Sequence, residues 1–132
     1  MEGLSKQERL YGKSAIANLL KEGRFGHEDM LKFCWLYRAD GSDVPCNRMM
    51  ISVSKRFFKR AVKRNLLKRR LREAYRKSKN FLNVPGHVDI MFIYNDKEIA
   101  EYKDIKVAVE KILTYISNKI TSDSATKEVA AE

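Results

Sequence analysis

Residues 54–79 hold 13 Lys or Arg and a single acid, Glu73, and this segment constrains the fold more than any other. On a helical wheel turning about 100° per residue, its Leu67, Leu71, Ala74 and Tyr75 fall in one apolar stripe. A helix with so narrow an apolar face has to lay it on a second layer, because propensity alone does not hold an isolated helix in water. The rest of the chain supplies that layer. Residues 31–37 (LKFCWLY), 48–54 (RMMISVS) and 87–94 (HVDIMFIY) are short runs rich in β-branched and aromatic residues, the composition of strands.

The stretch 40–47 (DGSDVPCN) is turn-forming, so a hairpin between the first two runs is the expectation. Ahead of them, residues 14–22 predict a short amphipathic helix with Ile16, Leu19 and Leu20 on one side, Ser14 as N-cap and Gly23 as its stop. The basic helix is expected over residues 59–79, ended by Asn83-Val84-Pro85-Gly86. A last helix over 102–120 carries Ile105, Val109, Ile112, Leu113, Ile116 and Ile120 at helical spacing. The tail 121–132 has no apolar period and is expected to be flexible, leaving residues 1–120 as a single domain. The order α-β-β-α-β-α is that of an α+β fold with helices on a small sheet, and a further short strand near Gly26 is easily overlooked.

The net charge of +10 points to a polyanionic partner. Its distribution is more telling, because residues 54–79 carry a net +12 and the remaining 106 residues a net −2. One basic patch on a nearly neutral body is a binding face, whereas a solvated helix face usually mixes both signs. Opposite the apolar stripe, Asn65, Arg69, Arg72 and Arg76 recur at i, i+4, i+7 and i+11, with Lys68 and Lys79 on a flank. Guanidinium forks bind phosphate oxygens bidentately and stack on bases, and Asn65 can pair with a base or a 2′-OH.

Other functions are disfavoured. No apolar run of about 18 residues occurs and the first 14 residues, MEGLSKQERLYGKS, lack a signal segment, so the expectation is a soluble cytosolic chain without membrane partners. Cys34 and Cys46 lack metal or redox spacing and read as free thiols, and His27 and His87 stand alone. Hence no protein metal site is assigned. Nor is a protein catalytic residue, since no nucleophile has a base in a recognisable motif and the acids are not clustered for metal ions.

Val53-Ser54-Lys55 leading into Arg64-Asn65-Leu66-Leu67-Lys68-Arg69-Arg70-Leu71-Arg72-Glu73-Ala74-Tyr75 resembles the signature block of the bacterial ribonuclease P protein family. Arg9-Leu10, Leu20-Lys21-Glu22-Gly23 and Val88-Asp89-Ile90 resemble its flanks, so the likeness spans residues 9 to 117. Leu66 stands where the family has the second arginine of an Arg-Asn-Arg triplet, and Arg70 is the neighbouring charge that can replace it. The resemblance implies the order α-β-β-β-α-β-α, a small mixed sheet packed by helices in the manner of the second domain of ribosomal protein S5. It also implies a left-handed β-α-β crossover, where general chirality predicts a right-handed one.

It further implies the protein subunit of ribonuclease P, an endoribonuclease for tRNA 5′ maturation. The subunit binds the catalytic RNA and the 5′ leader of precursor tRNA to promote leader removal. The RNA performs catalysis and holds the Mg²⁺, the protein binds no cofactor, and a monomeric protein joins one RNA. The implied RNA-binding residues are Lys55, Arg64, Asn65, Lys68, Arg69, Arg70, Arg72 and Arg76. The family's leader cleft lies between the first helix and the sheet. Ile16 and Leu20 replace its two helix phenylalanines, so stacking falls to Phe33, Trp35 and Tyr37, which alternation sets on one face, with Lys13, Lys32 and Lys55 as flanking charges. The rival expectation is a non-catalytic binding module such as a ribosomal protein or a DNA-binding basic helix. No sustained heptad supports a zipper.

Overall fold

The computed structural model describes the backbone of residues 8–38 and 47–131 and the side chains of residues 8–38 and 47–122. Helix α1 (Lys13–Glu22) is followed by strands β1 (Arg24–Glu28), β2 (Leu31–Arg38) and β3 (Arg48–Val53). Helix α2 (Ala61–Ser78), a 3-10 turn (Lys79–Phe81), strand β4 (His87–Tyr94) and helix α3 (Tyr102–Ala131) complete the α-β-β-β-α-β-α order.

The sheet order is β1-β2-β4-β3, with β1–β2 and β2–β4 antiparallel and β3–β4 parallel. The expected hairpin between residues 31–37 and 48–54 is therefore replaced by two separate pairings. β4 lies between β2 and β3, and α2 carries the chain from β3 back to the parallel start of β4. A two-residue turn cannot make that connection, whereas a helical crossover can. The hairpin that does form joins β1 to β2 through Asp29 and Met30, with Asp29 at φ 53. Asp tolerates this left-handed conformation better than most residues.

Helix α1 begins one residue earlier than expected. Gly12, at φ 97, takes the N-cap position, no side chain caps the helix, and Ser14 lies inside it. Gly23 does stop the helix, donating its N–H to the Leu19 carbonyl at 2.8 Å. Its backbone is extended, so the need for glycine is spatial. A Cβ there would collide with the Leu19 carbonyl oxygen and lie 2.7 Å from Cys34 Sγ and 3.0 Å from the Trp35 carbonyl. At the other end of the chain, α3 runs past Ile120 to Ala131, further than the apolar stripe predicts. Ala, Glu and Lys need no burial to favour a helix.

Each sheet face has its own core. The larger joins Leu31, Phe33, Trp35, Ile90 and Phe92 of the sheet to Leu67, Leu71, Ala74 and Tyr75 of α2 and to Ile105, Val109, Ile112 and Ile116 of α3. The predicted stripe of α2 is thus buried where expected, and each fully buried leucine contributes about 1.5–3 kcal/mol. The smaller core sets Leu10 and Leu19 on Cys34 and Met91, with Ile16, Leu36, Met50 and Ile93 partly buried around them. Helix α1 covers only part of this second face.

Candidate nucleic-acid interface

With Leu67, Leu71, Ala74, Tyr75 and Ser78 buried, the opposite side of α2 faces water. Asn65, Arg69 and Arg72 are exposed there, and among the described residues neither arginine has an ion-pair partner. Lys68 on the flank is half-buried, and Lys55 is exposed in the loop leading to the helix. Asn65, Arg69 and Arg72 thus form a ridge on the exposed side of α2, as the helical wheel predicts.

The other three arginines of the predicted set are engaged. Arg76 lies on the ridge, but Glu73 one turn back holds it, with Nη2–Oε1 at 2.6 Å and Nε–Oε2 at 3.1 Å. The Arg76 hydrogen bond in turn holds the Glu73 carboxyl below the usual carboxylate range. Arg64 donates to the carbonyls of Phe58 and Lys59 at 2.7 and 2.8 Å, which fixes the loop before the helix. Arg70 donates to the Ala100 carbonyl at 2.6 Å and thereby points toward the loop before α3. Arg70 therefore does not stand in for a ridge arginine at position 66. Lys79, on the expected flank, pairs with Glu8 at 2.9 Å and ties the end of α2 to the start of the described chain.

The second predicted feature needs a larger correction. Phe33, Trp35 and Tyr37 do share one face, but it is the face under α2 and α3, across the sheet from α1. Their partners in β4 are Phe92, Ile90 and Val88, all fully buried. Phe33 and Trp35 are each 4% exposed, and Tyr37 packs against the same core. Tyr115 meets the Phe33 ring edge-on at 6.0 Å, and Arg24 covers the Trp35 ring at 5.4 Å. None of the three borders a groove beside α1.

On the α1 face the register instead sets Phe25 beside Cys34, in the row that continues through Met91 to Met50. Phe25 is 64% exposed and presents an aromatic ring there. Leu20 of α1 is 44% exposed, Ile16 is half-buried, and Leu36, Met50 and Ile93 form a partly covered apolar floor. Lys32 is exposed on the same face, and Lys13 is exposed at the start of α1. Phe25 is missed in the sequence because RFGHE has one bulky apolar residue and no alternation, so only the overlooked strand near Gly26 could signal it.

At one end of this face, buried Asp89 accepts from Arg48 Nε at 2.9 Å and Nη2 at 2.8 Å and from Arg38 Nε at 3.1 Å. This pairing of β4 with β2 and β3 gives Asp89 a structural role in the resembling segment 88–90.

Residues 4–117 match the family model described as Ribonuclease P. The chain belongs to the ribonuclease P protein family. The ribonuclease P protein component of Porphyromonas gingivalis W83 is 35% identical over 133 residues, covering 96% of this chain and 95% of the relative. That of Thermotoga petrophila is 33% identical over 117 residues, covering 87% and 94%. The solved ribonuclease P protein of Thermotoga maritima superposes with a TM-score of 0.67 at 26% identity, over 82% of this chain and 96% of that one. The chain is thus a protein subunit of ribonuclease P, the tRNA-processing ribonucleoprotein endoribonuclease, and the ribonuclease P RNA is its partner.

Within this family member, Cys34 lies buried beneath α1, and burial pushes its thiol pKa up. Its Sγ lies 3.4 Å from the Leu19 carbonyl, so the thiol is a packing group. Cys46 lies outside the described residues. No helix among the described residues is long and apolar enough to cross a membrane.

Proposed function

We propose that the exposed ridge of α2 docks on the catalytic RNA while the sheet face beside α1 receives the 5′ leader of precursor tRNA. The observation that carries the first half is the row Asn65, Arg69 and Arg72, exposed on one helix side, with no acid paired to its arginines among the described residues. Each such arginine neutralises a phosphate and releases condensed counterions, and Asn65 adds a neutral donor and acceptor for a base or 2′-OH. Lys55 and Lys68 extend the field along the same approach. Arg64 and Arg70 act through backbone carbonyls, holding the loops on either side of the helix start.

For the leader, the partly covered sheet face beside α1 offers an exposed Phe25 ring, an apolar floor and Lys32. Stacking on such a ring tolerates any base and suits a single strand of variable sequence. Ile16 and Leu20 supply apolar contact without stacking. In this reading one monomeric protein joins one RNA in the cytoplasm, and the RNA holds the Mg²⁺. That ion supplies an activated water and charge neutralisation at the scissile phosphate. The protein lowers phosphate repulsion, so less Mg²⁺ is needed.

Reconstitution with a bacterial ribonuclease P RNA at limiting Mg²⁺ tests the proposal. Wild-type protein should raise the rate of leader removal, and Phe25→Ala should weaken binding of precursor tRNA with a leader but not of one lacking it. An Mg²⁺ requirement unchanged by the protein would refute the first half, and equal loss on both substrates the second.

A further inference from the structure

The ridge does not contain all the exposed cations of the basic segment. Arg56, Lys59, Arg60 and Lys63 surround a separate pocket of about 540 Å³ between the β3–α2 and β4–α3 loops, and Lys97 joins them from the second loop. All five are exposed, and none has an ion-pair partner among the described residues. Glu98 is the one acid in the lining. Phe57 and Ile99 bring apolar surface into the same pocket at 39% and 37% exposure.

Both walls are held from beneath. Arg64 grips the first loop at the Phe58 and Lys59 carbonyls, and buried Phe58 packs on Tyr94 with ring centroids 5.9 Å apart. The second loop is fixed by the Tyr94 hydroxyl, which donates to the Glu98 carbonyl and accepts from the Ala100 N–H at 2.8 Å. Arg70 holds the Ala100 carbonyl of that loop from α2. The walls are therefore pre-organised, which reduces the ordering cost of binding. Two arginines that do not project from the ridge acquire a purpose, since they position this pocket.

An exposed ring and an aliphatic edge inside a ring of five cations match a nucleobase with its phosphates. The pocket is an open cleft, which suits a nucleotide that stays joined to its strand. We propose that this pocket is a second RNA subsite, taking one unstacked nucleotide of the catalytic RNA. The base lies on Phe57 and Ile99, and the adjoining phosphates are held by Arg56, Lys59, Arg60, Lys63 and Lys97. Phe58 belongs to the core under α2 and α3, across the sheet from α1, and four of the five cations lie in the loop before α2 and its first turn. The occupant that fits this placement is the catalytic RNA on which α2 docks. The inference rests on the proposed docking of α2 on that RNA.

The test compares wild type, Phe57→Ala, Phe57→Trp and Lys97→Ala in equilibrium binding to a bacterial ribonuclease P RNA across a salt series, with thermal melts alongside. Stacking worth about 1–3 kcal/mol predicts that Phe57→Ala binds at least about 5-fold more weakly while Phe57→Trp binds like wild type. Lys97→Ala, on an exposed side chain, should lower the slope of log affinity against log salt by about 0.7–0.9. Wild-type affinity for Phe57→Ala together with a wild-type slope for Lys97→Ala overturns the pocket. If Arg69→Ala still flattens the slope in that case, docking of α2 stands without it. Losses that appear only with precursor tRNA carrying a leader assign the pocket to the substrate and also overturn the inference. Should Phe57→Ala melt early, Lys97→Ala decides.

Discussion

Replacing Arg69 and Arg72 together by Ala removes two exposed guanidinium groups that no acid among the described residues holds, while the Leu67–Leu71–Tyr75 face that anchors the helix is untouched. If each neutralises one RNA phosphate, the slope of log affinity against log salt falls by about 0.7–0.9 per contact, or about 1.4–1.8 for the pair. Between 50 and 200 mM salt, the advantage of wild type over the variant should then shrink by about 7- to 12-fold. Filter binding to a bacterial ribonuclease P RNA over that salt range measures it directly. Arg76→Ala serves as an internal comparison, because Glu73 already engages that guanidinium and its loss should change the slope less. Parallel salt lines for wild type and the double variant, with unchanged melting, would refute the reasoning, since a docked ridge cannot lose two phosphate contacts without losing counterion release.

Three further outcomes are expected. Asp89→Ala leaves the Arg38 and Arg48 guanidinium groups, 19% and 18% exposed, without the buried carboxylate that links three strands. It should cost about 3 kcal/mol and lower Tm by roughly 10 °C, whereas a shift below about 2 °C would remove Asp89 from the account of sheet stability. Gly23→Ala should destabilise by about 1–3 kcal/mol in denaturant titration, because the new methyl meets the Leu19 carbonyl, Cys34 and Trp35; an unchanged midpoint would mean that α1 moves aside freely. Glu73→Gln removes the carboxylate charge beside the ridge and should tighten RNA binding at neutral pH. Because the folded-state pKa of Glu73 is lowered, its contribution to stability is present above the unfolded carboxylate pKa and lost as pH falls through the folded one. The small Tm difference between wild type and Glu73→Gln should vanish over that acidic interval.

The helices were legible in the sequence because their apolar residues recur at helical spacing, and Leu67, Leu71, Ala74 and Tyr75 are buried as that spacing requires. Strands β2, β3 and β4 were legible from composition, but their pairing was not. Adjacency in sequence suggested a hairpin between β2 and β3, yet the partner of both is β4, and no local signal encodes a parallel pairing across a helix. Strand β1 escaped because RFGHE is mostly exposed and carries one large apolar residue. Charge counting located the ridge, but wheel geometry cannot tell a free arginine from one bound to a carbonyl. Arg64 and Arg70 join Arg69 and Arg72 through the family resemblance, which carries no information on where each guanidinium points, and their donors are directed to loop carbonyls. Alternation puts Phe33, Trp35 and Tyr37 on one face without saying which, because it gives the parity of a strand and not its sign, and here that sign depends on where α1 packs.

The central position of β4 has a consequence for synthesis. Leu31 pairs with Tyr94 and Arg38 with His87, while β3 meets the same strand from its other side. Until residue 94 has left the ribosome, β2 and β3 each present an unsatisfied edge, and the cationic segment between β3 and β4 emerges before the sheet that will anchor it. Such long-range closure slows folding and prolongs exposure of sticky edges. A nascent chain halted at residue 84 should accordingly show no cooperative melt, and one extended past residue 120 should.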